Sequence, residues 1–182
     1  MALVLFVAVV LGTARGVFGA PPPPPQSTEL LAMERTVCQG WCPAYSVRVF
    51  ADGTFIYDGK RFVKTLGTVT KRVSPRVVRA VRSSILQHRL PKMPTTCRDC
   101  MAYTDAPWTL LTFDLGDDRK GQVRHDQSCD DNRRDARELT KFEEEVDSIL
   151  NTVELIGSEP DRRQAYETWS REMKVRNDKA RE

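Results

Sequence analysis

The sequence predicts an α+β fold: an antiparallel sheet of about four to five strands, helices packed on one face, and an extra C-terminal helix. Three observations carry it. Asp52-Gly53 separates two alternating apolar stretches, a helical pattern opens at Ser74-Pro75, and strands, helix, strands, helix follow one another over residues 45–151. Hairpin-linked strands with helices between them favour antiparallel pairing, because parallel strands need a crossover at each step.

The chain opens with an uncharged apolar run at residues 2–11, well short of the roughly 20 residues a membrane-spanning helix needs. It matches the h-region of a secretory signal, with Val17-Phe18-Gly19 as a cleavage site. Residues 1–19 are therefore expected to be a signal peptide, and the mature chain to be exported, periplasmic or secreted, with no transmembrane helix. The n-region has no Lys or Arg, and the competing reading is an uncleaved N-terminus. Residues 20–28 are a proline-rich linker whose run at 21–25 favours an extended left-handed helix. Such a run serves as a stiff spacer or as a ligand for a proline-recognition domain. Residues 29–155 then form one domain, and residues 156–182 a C-terminal helix and tail.

Tyr45, Val47 and Val49 alternate with Ser46 and Arg48, and residues 54–57 return after the turn. Asp-Gly favours a two-residue type I′ turn with positive φ at both centres. That register sets Val49 opposite Ile56 and Phe50 opposite Phe55, with apolar cover on part of both faces. Residues 61–64 and 65–73 read as one further strand or two short ones. Ser74 caps the next helix, and Pro75 at its first position sacrifices no bond. Val77, Val78, Val81, Ile85 and Leu86 follow at helical spacing until Pro91. A loop over residues 91–107 leads to a strand at 108–115, a turn at Gly116, and a shorter strand at 122–125. Residues 133–151 form the strongest helix, striped by Ala136, Leu139, Phe142, Val146, Ile149, Leu150 and, just beyond, Val153. Ser158 starts a last helix carrying Tyr166, Trp169 and Met173, beyond which the polar tail is expected to fray.

All five cysteines, Cys38, Cys42, Cys97, Cys100 and Cys129, are disulfide candidates in an oxidising compartment. Cys38 and Cys42 either bridge each other across Gly40, pair elsewhere, or stay buried thiols. Cys97, Cys100, His125 and Cys129 have the spacing C-x2-C-x24-H-x3-C, which can close a tetrahedral zinc site. The compartment favours disulfides there instead, with His125 at a strand end, so no cofactor is expected and zinc is the alternative. A redox reading of Cys97 and Cys100 lacks the helix start that would activate the first thiol.

Residues 60–92 contain ten basic residues and no acidic one, whereas fifteen acidic residues face eleven basic ones from Asp130 onward. Arg72, Arg76, Arg79 and Arg82 can line one side of the first helix as a face for an anionic partner. In an exported protein that partner is a cell-envelope component or an acidic protein, with nucleic acid disfavoured by compartment. The competing reading is internal balance, the acidic C-terminal helices covering the basic one; the whole chain is only +3. Enzyme chemistry has little to stand on: His88 and His125 are the sole near-neutral bases, in no recognisable catalytic motif. Asp105, in a turn before the strand at 108–115, reads as a cap rather than an acid. The expectation is a non-enzymatic binding module.

Cys38, Gly40, Cys42, Pro43 and Tyr45, followed by Asp52-Gly53 and Tyr57-Asp58-Gly59, resemble a bacterial domain family of unknown function with a C-x-G-x-C-P-x-Y opening and an Asp-Gly hairpin. Thr104, Asp105 and Pro107 match a later turn of that pattern, and the resemblance spans residues 34–150. It implies the fold and an exported or membrane-attached setting, and brings no activity.

Overall fold

One six-stranded sheet organises the chain, in the order β4-β3-β2-β1-β5-β6, with every neighbouring pair antiparallel. It is seen in a computed structural model that describes residues 27–95, 105–128 and 134–181. The expected signal peptide, most of the proline-rich segment, Thr104, Cys97, Cys100 and Cys129 lie outside the described residues.

The sheet is wider than the expected four to five strands because of β1 (Glu29–Arg35). Its sequence, Glu-Leu-Leu-Ala-Met-Glu-Arg, is made of good helix formers and shows no clean alternation. Tertiary context overrides that preference. β1 lies between β2 (Ala44–Phe50) and β5 (Trp108–Asp114), with Leu31 facing Val49 on one side and Phe113 on the other. A central strand satisfies its backbone groups on both edges, which outweighs a small per-residue propensity.

The hairpin between β2 and β3 (Thr54–Arg61) departs from the type I′ expectation. Val49 pairs with Phe55 and Arg48 with Ile56, so Phe55 rather than Ile56 joins the core. Ala51, Asp52 and Gly53 make a three-residue turn in which Gly53 alone has positive φ, 85°, closed by Gly53 N–H to the Phe50 carbonyl at 3.0 Å. Three-residue hairpins combine an ordinary turn with one left-handed residue, and a one-residue slip exchanges the faces of a strand. The apolar cover therefore concentrates on one face.

β4 (Gly67–Arg72) is a single edge strand, and β6 (Lys120–Asp126) is longer than expected. α1 (Pro75–Gln87) and α2 (Arg134–Leu150) pack on the core face. There Leu31, Met33, Val47, Val49, Phe55, Tyr57, Leu111 and Phe113 meet Val81, Ile85, Leu139, Phe142 and Val146. On the opposite face Arg48 pairs with Glu29, Lys60 with Glu34, and Arg124 lies over Trp108. After α2, a one-turn helix α3 (Val153–Ile156) is tied to the turn after β3 by Lys64 N–H to Ile156 O and Thr65 N–H to Leu155 O, both 2.9 Å.

The last helix, α4 (Glu159–Lys179), continues past Met173 instead of fraying there. A reciprocal Ser158–Asp161 capping box starts it, and a Glu159–Arg163 pair lies one turn along the surface. No described helix is long and apolar enough to cross a membrane.

Candidate functional site

Within the core face lies a cluster of charged and hydroxyl groups drawn from four strands and α2. β1 ends on Arg35, β2 contributes Tyr45, β5 Thr109 and β6 His125. α2 supplies Glu143 and Asp147, four residues apart and so on one helical face.

His125 Nδ1 lies 2.7 Å from Glu143 Oε1, and Thr109 Oγ1 donates to Glu143 Oε2 at 3.0 Å. A carboxylate accepts, so Nδ1 carries the hydrogen. Arg35 Nη2 reaches Asp147 at 3.0 Å and Glu143 at 3.4 Å. Tyr45 OH donates to Asp147 at 2.8 Å, and Thr152 Oγ1 does so at 2.6 Å. The Tyr45 ring stacks on Tyr57 at 5.8 Å, and the Tyr57 hydroxyl donates to the Thr65 carbonyl at 3.3 Å.

Burial pushes the Tyr45 phenol well above its ordinary range; Asp147 adds to the shift, while Arg35 opposes it. Burial likewise raises Tyr57, to about 12. At Arg35 burial works against the charge, and the neighbouring Tyr45, Asp147 and Glu143 outweigh it, so its pKa is raised. Arg35 Nε is a buried donor without a partner among the described residues. Chemically the cluster is a clamp: the polar hydrogens of Thr109, Tyr45 and His125 hold α2 to the sheet, and that of Thr152 closes the turn after α2. A second polar contact joins α2 to α1. His88 sits between Glu138 at 3.3 Å and Glu145 at 2.8 Å, and Ser84 Oγ donates to Glu145 at 3.0 Å. Both histidines are thus engaged by carboxylates.

The expected basic face is only partly assembled. Arg76 and Arg79 are exposed on α1, with Val81 and Ile85 turned inward as expected. Arg72, on β4, is drawn to the hairpin turn, 3.1 Å from the Asp52 carboxylate. Arg82 donates to the Leu115 carbonyl at 2.6 Å, after β5. Glu138 and Glu145 of α2 meet His88 and Lys141, and α2 makes no ion pair to Arg76 or Arg79 among the described residues. The remaining basic residues are dispersed, Lys71 over Phe55 and Arg61 over Trp169.

Cys38 and Cys42 are disulfide-bonded, with Cα atoms 5.5 Å apart. The cysteine partners proposed for His125 lie outside the described residues, and among the described residues no group of three or more metal-ligating side chains is present. Asp105 is exposed and uses its carbonyl to accept the Gln39 N–H at 3.2 Å.

Around the disulfide loop, rings from three segments meet. Tyr166 of α4 touches Trp41 at 6.4 Å and Phe62 at 5.3 Å, and Trp169 lies 5.6 Å from Phe62. A cleft of about 340 Å³ separates the loop from Arg162, and a groove of about 470 Å³ runs between Phe62, Leu66 and Trp169.

The clamp was not anticipated from the sequence. One readable signal existed: Glu143 falls four residues after Leu139 and three before Val146, inside the apolar stripe of α2. A charged residue there must be paired.

No curated protein matches this chain. A family described as a domain of unknown function, DUF6438, matches residues 29–150, from β1 to the end of α2, and the chain belongs to it.

Proposed function

We propose that this chain, a member of a family of unknown function, is a non-enzymatic binding module, exported to an oxidising compartment, that holds an anionic partner against α1. One observation carries the reading. Arg76 and Arg79 stand exposed in the N-terminal half of α1, which has no acidic residue in its first turn and no basic one in its last. That placement opposes the helix macrodipole, which favours anions at the N-terminus and cations at the C-terminus. Folding alone gives no reason for it, and a bound anion does. The apolar run at residues 2–11 and the Cys38–Cys42 bond support export, since disulfides persist outside the reducing cytosol. The partner class is an anionic envelope component or an acidic protein surface.

Charge reversal, Arg76→Glu with Arg79→Glu, tests it. Retention on vesicles containing anionic lipid, or on an acidic polymer, should be lost while the circular dichroism spectrum is kept. Retention by the parent should fall steeply between 0.1 and 1 M salt, where the screening length shrinks from about 10 to about 3 Å. Unchanged retention in the reversed variant overturns the reading. Intact mass of the native protein tests export separately: a species retaining Met1 overturns it.

A second reading keeps a zinc or thiol site at Cys97, Cys100, His125 and Cys129. The contact between His125 Nδ1 and Glu143 favours it, because metal-bound imidazoles characteristically donate their other N–H to a carboxylate. Metal analysis of chelator-free protein with a thiol count decides: stoichiometric zinc supports this reading, and one free thiol with no metal removes it.

A further inference from the structure

We propose that the Cys38–Cys42 loop is a redox-sensitive latch for α4: the disulfide holds Trp41 in place as one wall of a notch that the chain fills with its own C-terminal helix.

α4 lies beyond the residues matched by the family and begins after the left-handed Gly157, φ 84°. Backbone bonds fasten the chain as far as Ile156, through Lys64 and Thr65. Past that point the attachment changes character. α4 contains no buried residue, so side-chain contacts along one stripe keep it against the domain. Tyr166 and Trp169, three residues apart on that stripe, meet Phe62 from one side. From the other side Trp41 meets Tyr166, and the Arg163 guanidinium lies 4.6 Å over the Trp41 ring.

The two walls differ in how they are held. Phe62 is buried beside the core, in a turn whose next residues bond to α3. Trp41 is 37 % exposed. Among the described residues, no loop hydrogen bond ties the backbone of Gly40, Trp41, Cys42 or Pro43 to another element. Gly40 has φ 143°, and a Cβ there would meet Cys38 Sγ at 3.9 Å. Gln39 N–H to the Asp105 carbonyl, 3.2 Å, anchors the start of the loop, and the covalent bond is what closes the rest of it.

Opening requires a dithiol as reductant. One thiolate attacks a cystine sulfur and forms a mixed disulfide; the second thiol displaces it. Two electrons and two protons pass to Cys38 and Cys42, and the dithiol leaves oxidised. Trp41 then loses its fixed position, the wall against Tyr166 and Arg163 dissolves, and α4 detaches at Gly157 while α3 stays. The α4-facing surface of the family domain becomes available.

Limited trypsin digestion of the full chain tests this. Arg162 and Arg163 lie in the docked half of α4, and Lys174 and Arg176 in the free half serve as an internal reference. With the disulfide intact, cleavage at Arg162 and Arg163 should lag behind cleavage at Lys174 and Arg176. With it reduced, the lag should shrink about tenfold, the factor expected from losing one ring pair and one cation–π contact. Cleavage at Arg48 and Arg61 in the sheet should stay slow. Cys38→Ser with Cys42→Ser should reproduce the reduced pattern with the other cysteines untouched. Trp41→Ala should do so with the disulfide retained, and reduction should add nothing to it. An unchanged lag after thiol titration confirms reduction overturns the latch. So does concurrent cleavage at Arg48 and Arg61, which makes the bond a staple of the whole domain.

Discussion

His125 and Glu143 meet in the interior at 2.7 Å, with the histidine 4 % and the glutamate 2 % exposed. The contact joins edge strand β6 to α2, and the same carboxylate takes the Thr109 hydroxyl and lies near Arg35. Removing the apolar residues around it would leave α2 loosely seated. Removing the glutamate leaves a worse fault, the buried Thr109 and His125 donors facing no acceptor and Arg35 with Asp147 alone.

Glu143→Ala is therefore expected to cost about 3 kcal/mol or more, the range for breaking a buried ionic contact from one side. Glu143→Gln keeps the volume and one acceptor oxygen and should cost less. Urea unfolding measures both, and a loss below about 1 kcal/mol for the alanine variant would contradict the clamp.

Phe142 is fully buried at the centre of the α2 stripe, against the His88 ring at 5.8 Å. Phe142→Ala should cost about 3–5 kcal/mol. A change under about 0.5 kcal/mol would mean that α2 does not face the core.

How far the sequence reveals this molecule depends on whether each signal is local. The helix at Ser74-Pro75 and the stripe through Phe142 are encoded within one element, and both appear where periodicity places them. β1 is not: Glu-Leu-Leu-Ala-Met-Glu-Arg becomes a strand because β2 and β5 flank it, a fact held elsewhere in the chain. The Asp52-Gly53 turn was legible, but its length was not, since the residue count of a hairpin loop is settled by which faces pack. Of the site, Cys38 and Cys42 were readable as one of several pairings. Arg35, Tyr45, Glu143 and Asp147 come together only when β1, β2 and α2 are docked. The row Arg72, Arg76, Arg79, Arg82 assumed one straight face. Its ends turn instead to acceptors on neighbouring turns, Asp52 and Leu115.

Tyr45 and Tyr57 set an alkaline limit. Both phenols are raised by burial, Tyr57 to about 12. A phenol with a raised pKa favours the fold while neutral. Its contribution is complete below the unfolded value of about 10 and is lost as pH rises from there through about 12. Tyrosinate absorbance and circular dichroism should thus show these two ionising together with unfolding. Ionisation of all four tyrosines near pH 10 in a still-folded chain would refute this.

Asp52 sets an opposite, acid-side dependence. The Thr54 backbone N–H, then the Thr54 and Ser27 side chains and Arg72, hold its carboxyl down at about 2. A depressed carboxyl contributes stability above its unfolded pKa of about 3.9, and that contribution is lost as pH falls from there through about 2. The melting temperature of Asp52→Asn should therefore fall less between pH 4 and pH 2 than that of the parent. Parallel decreases would show that the turn carboxylate is uncoupled from folding.

Gly59 offers a test of the close approach beside the Tyr45–Tyr57 stack. It lies in β3, opposite Tyr45 on one side and Gly67 on the other. A Cβ there would sit 2.0 Å from the Thr65 carbonyl oxygen, and 2.9 Å from both the Tyr57 hydroxyl and Val63 Cγ2. The carbonyl cannot swing aside without losing the Tyr57 hydroxyl bond, and the neighbouring N–H of Thr65 is fixed to α3. Gly59→Ala is expected to cost at least the 1–3 kcal/mol or so typical of overpacking, and to loosen α3 with the turn. Gly67→Ala makes the informative contrast. Its Cβ would meet nothing within 4 Å, but its φ is 81°, so its cost is backbone strain alone, about 1–2 kcal/mol. Chemical denaturation of both variants, with hydrogen exchange at Lys64 and Thr65, separates the two causes. Faster exchange at those amides in Gly59→Ala only is the expected result, and equal exchange in both would mean that the turn does not lean on Gly59.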